Sequence, residues 1–235
     1  ADPAAPDPDL DPGELARVRS WDDELDRLLA EARSERSGVV EVPMPSSLSA
    51  TALARLHEDP DGFARELARP MPRRPSPAAR FGTRFHAWVE ARFGQQQLLD
   101  PDELPGRADP DIAGEEELAE LVSAFERGPF ADRVPVAVEA PFALVLAGQV
   151  VRGRIDAVYD EPLPDGSPGY LVVDWKTGRG GADPLQLAIY RIAWAELVGV
   201  PPEQVRAAFH HVQTGDTEEP PGLPDRAALE RIVTG

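Results

Sequence analysis

The segment Tyr170-Leu-Val-Val-Asp-Trp-Lys-Thr-Gly178 ends an apolar run with two charged residues. The run predicts a strand, and side chains alternate between the two faces of a strand. Asp174 and Lys176 are therefore expected on one face, and Trp175 on the other. A carboxylate suits a hard divalent cation, and an ammonium group beside it suits an anionic oxygen. The alternative interpretation is a solvated strand end.

Lys176 is the only lysine among the 24 basic residues of the chain. Arginine supplies the positive charge everywhere else, so the need for a generic charge does not explain this lysine. A compact ammonium group can approach a reacting phosphate or a water in a way that a planar guanidinium cannot. The composition therefore favours a functional role for Lys176.

The chain has 235 residues and 42% hydrophobic content, enough for one large domain with appended arms. We expect an arm, a helix and a short strand at residues 1–44, linking to a preceding region, and the main domain at 45–235. The first residue is Ala rather than Met, which suggests a fragment of a longer protein.

The absence of cysteine excludes disulfides, thiolate metal sites and iron–sulfur clusters. No apolar stretch approaches the roughly 20 residues of a membrane span, and nothing resembles a signal peptide. We therefore expect no membrane partner and a cytoplasmic location.

The formal charge of −18 argues against a simple nucleic-acid binder, because phosphate binding needs positive charge. The charge is unevenly distributed. Residues 64–93 contain seven arginines against two glutamates, and residues 97–126 contain ten acidic residues against one arginine. This asymmetry fits either a basic rim on an acidic body or ordinary solvated faces.

Apolar periodicity, caps and proline positions predict several elements before the sheet. These are a helix at 13–36, a short strand at 39–42, a helix opening at 47–51, a helix at 60–69, a linker at 70–80, a helix at 83–93, a loop at 95–113 and an acidic helix at 114–128. His86 lies on the flank of the 83–93 helix, with Glu90 one turn further on the same side. A histidine in such a position is either structural or a ligand.

The sheet is predicted to follow, with one strand in 134–146 that contains Glu139 and bends at Pro141. In the next strand, at 150–159, alternation places Arg152, Arg154 and Asp156 on a polar face. Val151, Ile155, Ala157 and Tyr159 are expected on the opposite face. The loop at 160–169 closes a hairpin with the Asp174 strand. A strand at 207–213 and a helix at 225–233 complete the domain.

A helix at 185–198 is predicted between the last two strands, with Asp183 as its N-cap and Gly199 at its C-terminal end. The helix is apolar almost all round, so it should be buried. Gln186 and Tyr190, four residues apart, form one polar seam. They are either a functional pair or satisfied core polar groups.

Four segments in order resemble the PD-(D/E)XK nuclease superfamily, and specifically its RecB-like branch. They are Gly82-Thr-Arg-Phe-His86, Gly153-Arg-Ile-Asp156, Val173-Asp-Trp-Lys-Thr-Gly178 and Gln186-Leu-Ala-Ile-Tyr190. The lead-in from Leu48 to Pro60 is similar to that of nuclease domains fused to UvrD-type helicases. The resemblance covers residues 45–215. It implies an α/β fold, with a mixed central sheet flanked by helices and an N-terminal helical extension.

The resemblance also implies roles for individual residues in hydrolysis of a phosphodiester bond. His86, Asp156, Asp174 and the backbone carbonyl of Trp175 would hold Mg²⁺ or Mn²⁺, and Glu139 would support that ion or bind a second one. The other implied roles are water orientation or charge stabilisation by Lys176, contacts to the nucleic-acid backbone from Gln186 and Tyr190, and DNA binding by Arg84, Arg152 and Arg154.

The negative charge suggests that single-stranded or unwound DNA is delivered by a partner. A UvrD-type helicase motor, on the same polypeptide or on a partner subunit, would do this in DNA repair or recombination. The chain lacks the helicase's phosphate-cradling glycine-rich loop, so it should not hydrolyse ATP. Two alternatives stay open: a non-cleaving module that binds DNA or a subunit, and a phosphodiesterase acting on RNA or a small nucleotide.

Overall fold

The computed structural model describes residues 11–37, 41–71, 77–93, 113–178 and 183–234. The chain divides into two compact units, Ala1–Met44 and Pro45–Gly235. The functional assignment of these two segments stays a prediction. None of the helices within the described ranges is long and apolar enough to cross a membrane.

The first unit contains the predicted helix, α1 (Pro12–Ser37). Its large apolar side chains are exposed, namely Val18, Trp21, Leu25, Leu28 and Leu29. The short strand expected at 39–42 is not formed at residues 41 and 42, and residues 39 and 40 lie outside the described ranges.

The second unit begins with strand β1 and four helices. They are β1 (Ser47–Ser49), α2 (Ala50–Glu58), α3 (Pro60–Ala68), α4 (Pro77–Arg92) and α5 (Ala113–Glu126). Helix α4 begins six residues earlier than its pattern predicted, inside the expected linker. Most of the loop expected at 95–113 lies outside the described residues.

The remaining elements are three consecutive strands, a helix, two more strands and a last helix. They are β2 (Ala137–Leu146), β3 (Gln149–Asp160), β4 (Tyr170–Lys176), α6 (Pro184–Val198), β5 (Val205–His211), β6 (Asp216–Glu218) and α7 (Arg226–Thr234). These bounds agree with the predicted strands and helices to within a few residues, except that β6 was not predicted.

Residues 47–49 form a strand, although the sequence predicted that a helix opens there. Leu48 is buried and pairs with Val151, which ties this short segment to the sheet. The helix starts after it, because the Ser49 side chain accepts a hydrogen bond from the backbone N–H of Ala52 and so caps α2. A three-residue strand is too short to show a period of its own.

Strand β3 organises the mixed sheet. β2 runs antiparallel along one edge of β3. Along the other edge β3 pairs first with β1, in parallel at residues 150–152, and then with β4, antiparallel at residues 157–160. β4 continues in parallel to β5, which pairs with β6. The mixed sheet flanked by helices confirms the predicted fold class.

Two apolar cores pack against this sheet. The first contains buried residues of α2, α6 and α7, among them Leu53, Ile189 and Leu229. The second contains buried residues of α4 and α5, among them Phe85 and Phe125. The strands contribute residues to both cores.

The predicted alternation along β3 was wrong, because the strand exchanges faces in its middle. Val151 and Ile155 lie in the first core, whereas Ala157 and Tyr159 lie in the second. The exchange occurs at Asp156, which is buried rather than open on a polar face beside the arginines.

Strand β2 exchanges faces at the matching position. Val138 belongs to the second core and Ala140 to the first. Between them Glu139 has a φ of 48°, in the left-handed region that non-glycine residues rarely adopt. In the register of the two strands Val138 pairs with Ala157 and Ala140 with Ile155, so Glu139 and Asp156 lie at corresponding positions between these pairs. The two carboxylates, Glu139 and Asp156, therefore lie where both strands exchange faces.

Candidate metal centre

Asp156 takes the place of a backbone acceptor where β3 and β4 separate. The ladder between these strands ends at the pair Ala157 and Val173. Beyond it the backbone N–H of Trp175 donates to Oδ2 of Asp156 at 2.8 Å. This hydrogen bond satisfies a buried donor and fixes the carboxylate, so that its other oxygen faces His86.

His86, Glu139 and Asp156 converge into what we call the His86–Glu139–Asp156 cluster. Nδ1 of His86 lies 2.9 Å from Oε1 of Glu139 and 3.6 Å from Oδ1 of Asp156. The neighbours of His86 on α4, Phe85 and Val89, are buried in the second core and hold the helix against the sheet. One ligand atom from each cluster residue lies within 4.8 Å of the others.

The cluster holds more negative charge than its environment favours. Burial, followed by the charge of Asp174, raises the pKa of Asp156. Burial opposes a charge on His86, but the hydrogen bond with Glu139 and the nearby carboxylates outweigh it and raise the pKa of His86 to about 9. Without another cation, protons bound by His86 and by Asp156 reduce the excess negative charge at neutral pH.

On β4, Asp174 and Lys176 share one face as predicted. Nζ of Lys176 lies 2.6 Å from Oδ2 of Asp174, while Trp175 packs in the second core on the other face. The ammonium group also lies 5.0 Å from the centre of the Phe209 ring. Burial raises the pKa of Asp174, and the charge of Lys176 opposes that change.

Helix α6 completes what we call the lysine network, which consists of Asp174, Lys176, Gln186 and Tyr190. Nζ of Lys176 donates to Oε1 of Gln186 at 3.0 Å, and Nε2 of Gln186 donates to the Tyr190 hydroxyl oxygen at 2.9 Å. The two ends of the helix are as predicted: Asp183 is its N-cap, and Gly199, with a φ of 72°, is its C-cap. Burial, followed by the charges of the site aspartates, raises the pKa of Tyr190, so its hydroxyl stays protonated.

The structure thus distributes the predicted residues over two neighbouring groups. Of the three side chains predicted to hold the ion, His86 and Asp156 meet Glu139, the additional predicted ligand, whereas Asp174 is paired with Lys176. The carbonyl of Trp175 as a ligand stays a prediction. Phe209, which touches Lys176, was missed, because only the register of β5 against β4 brings it opposite Asp174.

The three predicted DNA-binding arginines are all exposed, in different surroundings. Arg152 donates to the hydroxyl of Ser47 at 2.8 Å. Arg154 lines a cavity of about 400 Å³ together with His86, Glu139 and Glu90. Arg84 is exposed on α4, two residues before His86.

The cluster fits a divalent cation. With Mg²⁺–oxygen distances of about 2.0–2.1 Å, ligand atoms around one ion lie about 3–4 Å apart. The separations of 2.9 Å between His86 and Glu139 and 3.6 Å between His86 and Asp156 are close to this range. One imidazole and two carboxylates also form a donor set suited to Mn²⁺ as well as Mg²⁺.

A mixed sheet flanked by helices, with carboxylates, an imidazole and a lysine gathered at one place, defines the class of this protein. The family model described as the PD-(D/E)XK nuclease superfamily matches residues 47–233, most of the chain. The chain belongs to this superfamily of nucleases.

Two solved structures are similar to the chain at low sequence identity. One is a candidate exonuclease from Eubacterium rectale, with 14% identity, a TM-score of 0.48, and coverage of 80% of this chain and 76% of that one. The other, named SSO0001, has 15% identity, a TM-score of 0.38, and coverage of 89% and 83%. A comparison with curated proteins found no match.

Proposed function

We propose that this chain is a Mg²⁺- or Mn²⁺-dependent deoxyribonuclease of the RecB-like branch. The observation that carries the proposal is the meeting of the His86–Glu139–Asp156 cluster with the lysine network. The charge of Asp174 acts on the pKa values of both His86 and Asp156, so the two groups share one electrostatic environment. Cation ligands and a cationic side chain are what hydrolysis of an anionic phosphodiester requires.

His86, Glu139 and Asp156 would hold the ion, with Asp174 and the Trp175 carbonyl beside them. A bound Mg²⁺ or Mn²⁺ would polarise a phosphoryl oxygen, activate the attacking water and neutralise developing charge. Asp156 is held in place by the backbone N–H of Trp175, and Glu139 by His86. The carboxylates are therefore oriented before any ion binds, which reduces the cost of ordering them.

Lys176 is placed to act on the substrate with one remaining donor. Its ammonium group has three N–H bonds: one donates to Oε1 of Gln186, and the ion pair with Asp174 engages the group on a second side. The third can orient the attacking water or stabilise a phosphoryl oxygen as charge develops there. A fixed donor of this kind needs no reorganisation at the moment of reaction.

Gln186 and Tyr190 would contact the DNA backbone near the cut, and Arg84, Arg152 and Arg154 would bind phosphates further away. Arg154 supports this assignment because it lines the cavity that opens onto His86. The net charge of −18 disfavours capture of free DNA. We therefore propose that a UvrD-type helicase motor, in the same polypeptide or a partner, delivers single-stranded DNA in repair or recombination.

Cleavage assays on the purified chain test the proposal. Labelled single-stranded DNA, duplex DNA and RNA are each incubated with Mn²⁺, with Mg²⁺ or with EDTA, beside a Lys176→Met control prepared in the same way. We expect cleavage of single-stranded DNA that needs the ion and is lost in the control. Equal cleavage by the control would indicate a contaminating nuclease. Binding without cleavage would favour a non-catalytic module, and a preference for RNA would overturn the DNA assignment.

A further inference from the structure

The ring of Phe142 lies directly over Gly153. The two residues are register partners on β2 and β3. A Cβ added to Gly153 would lie 2.8 Å from Cε1 and 2.9 Å from Cζ of Phe142. Non-bonded carbon atoms prefer separations of about 3.5–4.0 Å, so any side chain at position 153 would displace the ring. The ring of Phe142 can therefore occupy this position only because residue 153 has no side chain.

Phe142 also packs against Tyr190. The two ring centroids are 5.6 Å apart and the planes are inclined at 71°, an edge-to-face contact. Both residues are buried in the first core. Because a tyrosine side chain turns only about χ1 and χ2, a contact on its ring also sets the position of its hydroxyl group.

The Tyr190 hydroxyl in turn fixes the amide of Gln186. An ammonium group can only donate, so Oε1 of Gln186 must face Lys176, and Nε2 is left to donate to Tyr190. If Tyr190 moves, the amide loses the partner that holds it. Lys176 would then lose the acceptor on one side of its ammonium group.

We infer that Phe142, seated on Gly153, is a positioning residue for Lys176 that acts through Tyr190 and Gln186. The catalytic consequence rests on the proposed function, whereas the effect on the geometry of Lys176 does not. The competing explanation is that Phe142 only fills the core. The two explanations differ in whether a change at position 142 reaches the lysine.

Lys176 provides a direct readout, because it is the only lysine in the chain. Protein labelled with ¹³C,¹⁵N-lysine gives one set of side-chain signals in NMR spectra, and we follow the Nζ signal of Lys176 as the lysine signal. Phe142→Leu removes the ring that touches Tyr190, and Gly153→Ala pushes the ring away. The matched control is Phe63→Leu, which loses the same atoms from a residue of the same core that is 7% exposed, against 8% for Phe142.

We expect Phe142→Leu and Gly153→Ala to shift the lysine signal, and Phe63→Leu to leave it in place. In cleavage assays the first two should lower kcat by about tenfold or more with KM nearly unchanged, because a small misplacement of a catalytic group is costly. Thermal unfolding checks that each variant folds. Phe142→Met, which retains more volume, replaces Phe142→Leu if the latter does not fold.

A double variant tests the route from Gly153. Leucine lacks the Cε1 and Cζ atoms that a Cβ at position 153 would meet, so Phe142→Leu with Gly153→Ala should be no worse than Phe142→Leu alone. Independent, additive losses would contradict the inference. In a Tyr190→Phe background, Phe142→Leu should add little further loss.

The inference is overturned if the lysine signal in Phe142→Leu stays where it is in the wild type, or moves no further than in Phe63→Leu. That result stands whether or not the chain cleaves DNA. A shifted lysine signal in a protein that cleaves no nucleic acid would instead contradict the proposed function and leave the positioning role intact.

Discussion

The two halves of the site solve the problem of buried charge in opposite ways. In the lysine network each charged group has a partner, since Lys176 contacts Asp174 and Gln186. In the His86–Glu139–Asp156 cluster two carboxylates converge, and the pKa of Asp156 is raised as a result of burial and of its charged neighbours. In the lysine network a cation within the group offsets the buried carboxylate of Asp174, whereas the cluster needs an added cation or proton to offset its carboxylates.

This difference implies different energetic roles. A network with its partners in place stabilises the fold and holds a catalytic group in a fixed geometry. A cluster of like charges weakens the fold but favours any cation that arrives. Changes in the lysine network should therefore affect turnover with little effect on metal affinity, and changes in the cluster should affect metal affinity and stability.

The largest expected effect is on turnover. Lys176→Met should lower kcat by about 10²- to 10³-fold, because it removes a fixed donor from the reacting centre. Lys176→Arg should lower kcat nearly as far, since the pocket formed by Asp174, Gln186 and Phe209 fits a compact ammonium group. Single-turnover cleavage at saturating Mn²⁺ measures both rates.

Glu139→Gln is the matched variant in the other half of the site. Its loss of activity should be partly recovered by raising the Mn²⁺ concentration, whereas the loss in Lys176→Met should not. A near-wild-type rate for Lys176→Arg would show that only positive charge matters at this position.

The second effect concerns metal affinity. His86→Ala should weaken Mn²⁺ binding by about 10- to 100-fold, because it removes one donor. In the wild type a proton on His86 competes with the ion at every pH below its pKa of about 9, and a proton on Asp156, whose pKa is raised by burial, adds to this competition. Affinity should therefore still rise between pH 7 and pH 8, where a histidine with an ordinary pKa would have levelled off.

Calorimetric Mn²⁺ titrations of the wild type and His86→Ala between pH 6 and pH 8 measure this dependence. Gln186→Ala is the control, and it should bind Mn²⁺ like the wild type. Matching affinities and pH profiles for the wild type and His86→Ala would mean that His86 is only a structural residue on the flank of α4.

Some of this arrangement could be predicted from the sequence, and some could not. The shared face of Asp174 and Lys176 follows from the two-residue period of a strand that stays regular, and Asp183 and Gly199 mark the ends of α6. The same period failed in β3, because both strands of the β2–β3 pair exchange faces at Glu139 and Asp156. No residue type signals this exchange, since Glu139 adopts a positive φ that its chemistry does not favour.

A third effect concerns stability without metal. Asp156→Asn keeps an oxygen that can accept a hydrogen bond from the Trp175 N–H. It removes an ionisable carboxyl group whose pKa is raised by burial and by the charge of Asp174. We expect it to stabilise the metal-free protein by about 1–2 kcal/mol while it abolishes cleavage. Gln186→Ala should instead destabilise the protein by about 1 kcal/mol, since it breaks two hydrogen bonds. Urea unfolding in EDTA at pH 7.5 measures both changes, and the same sign for the two variants would contradict the comparison.

The smallest effect contrasts His86 with His210, a buried histidine on β5 outside both halves of the site. Burial, followed by the neighbouring His211, lowers the pKa of His210 to about 4, and its Nδ1 lies 2.8 Å from the hydroxyl of Thr217. Between pH 6.5 and pH 4, His210 is protonated in the unfolded chain but not in the folded protein. The free energy of unfolding therefore falls as the pH falls through this range.

His86 has the opposite sign, because its raised pKa gives stability that is complete below pH 6.5 and is lost as the pH rises through about 9. The two contributions oppose each other in the wild type, so a variant is needed to separate them. His210→Gln keeps a polar side chain for Thr217 and cannot titrate. Between pH 7.5 and pH 6 in EDTA, we expect the wild type to lose about 1 kcal/mol relative to His210→Gln. An equal change in the two proteins would mean that His210 gains a proton in the folded state as easily as in the unfolded chain, and the contrast between the two histidines would then fail.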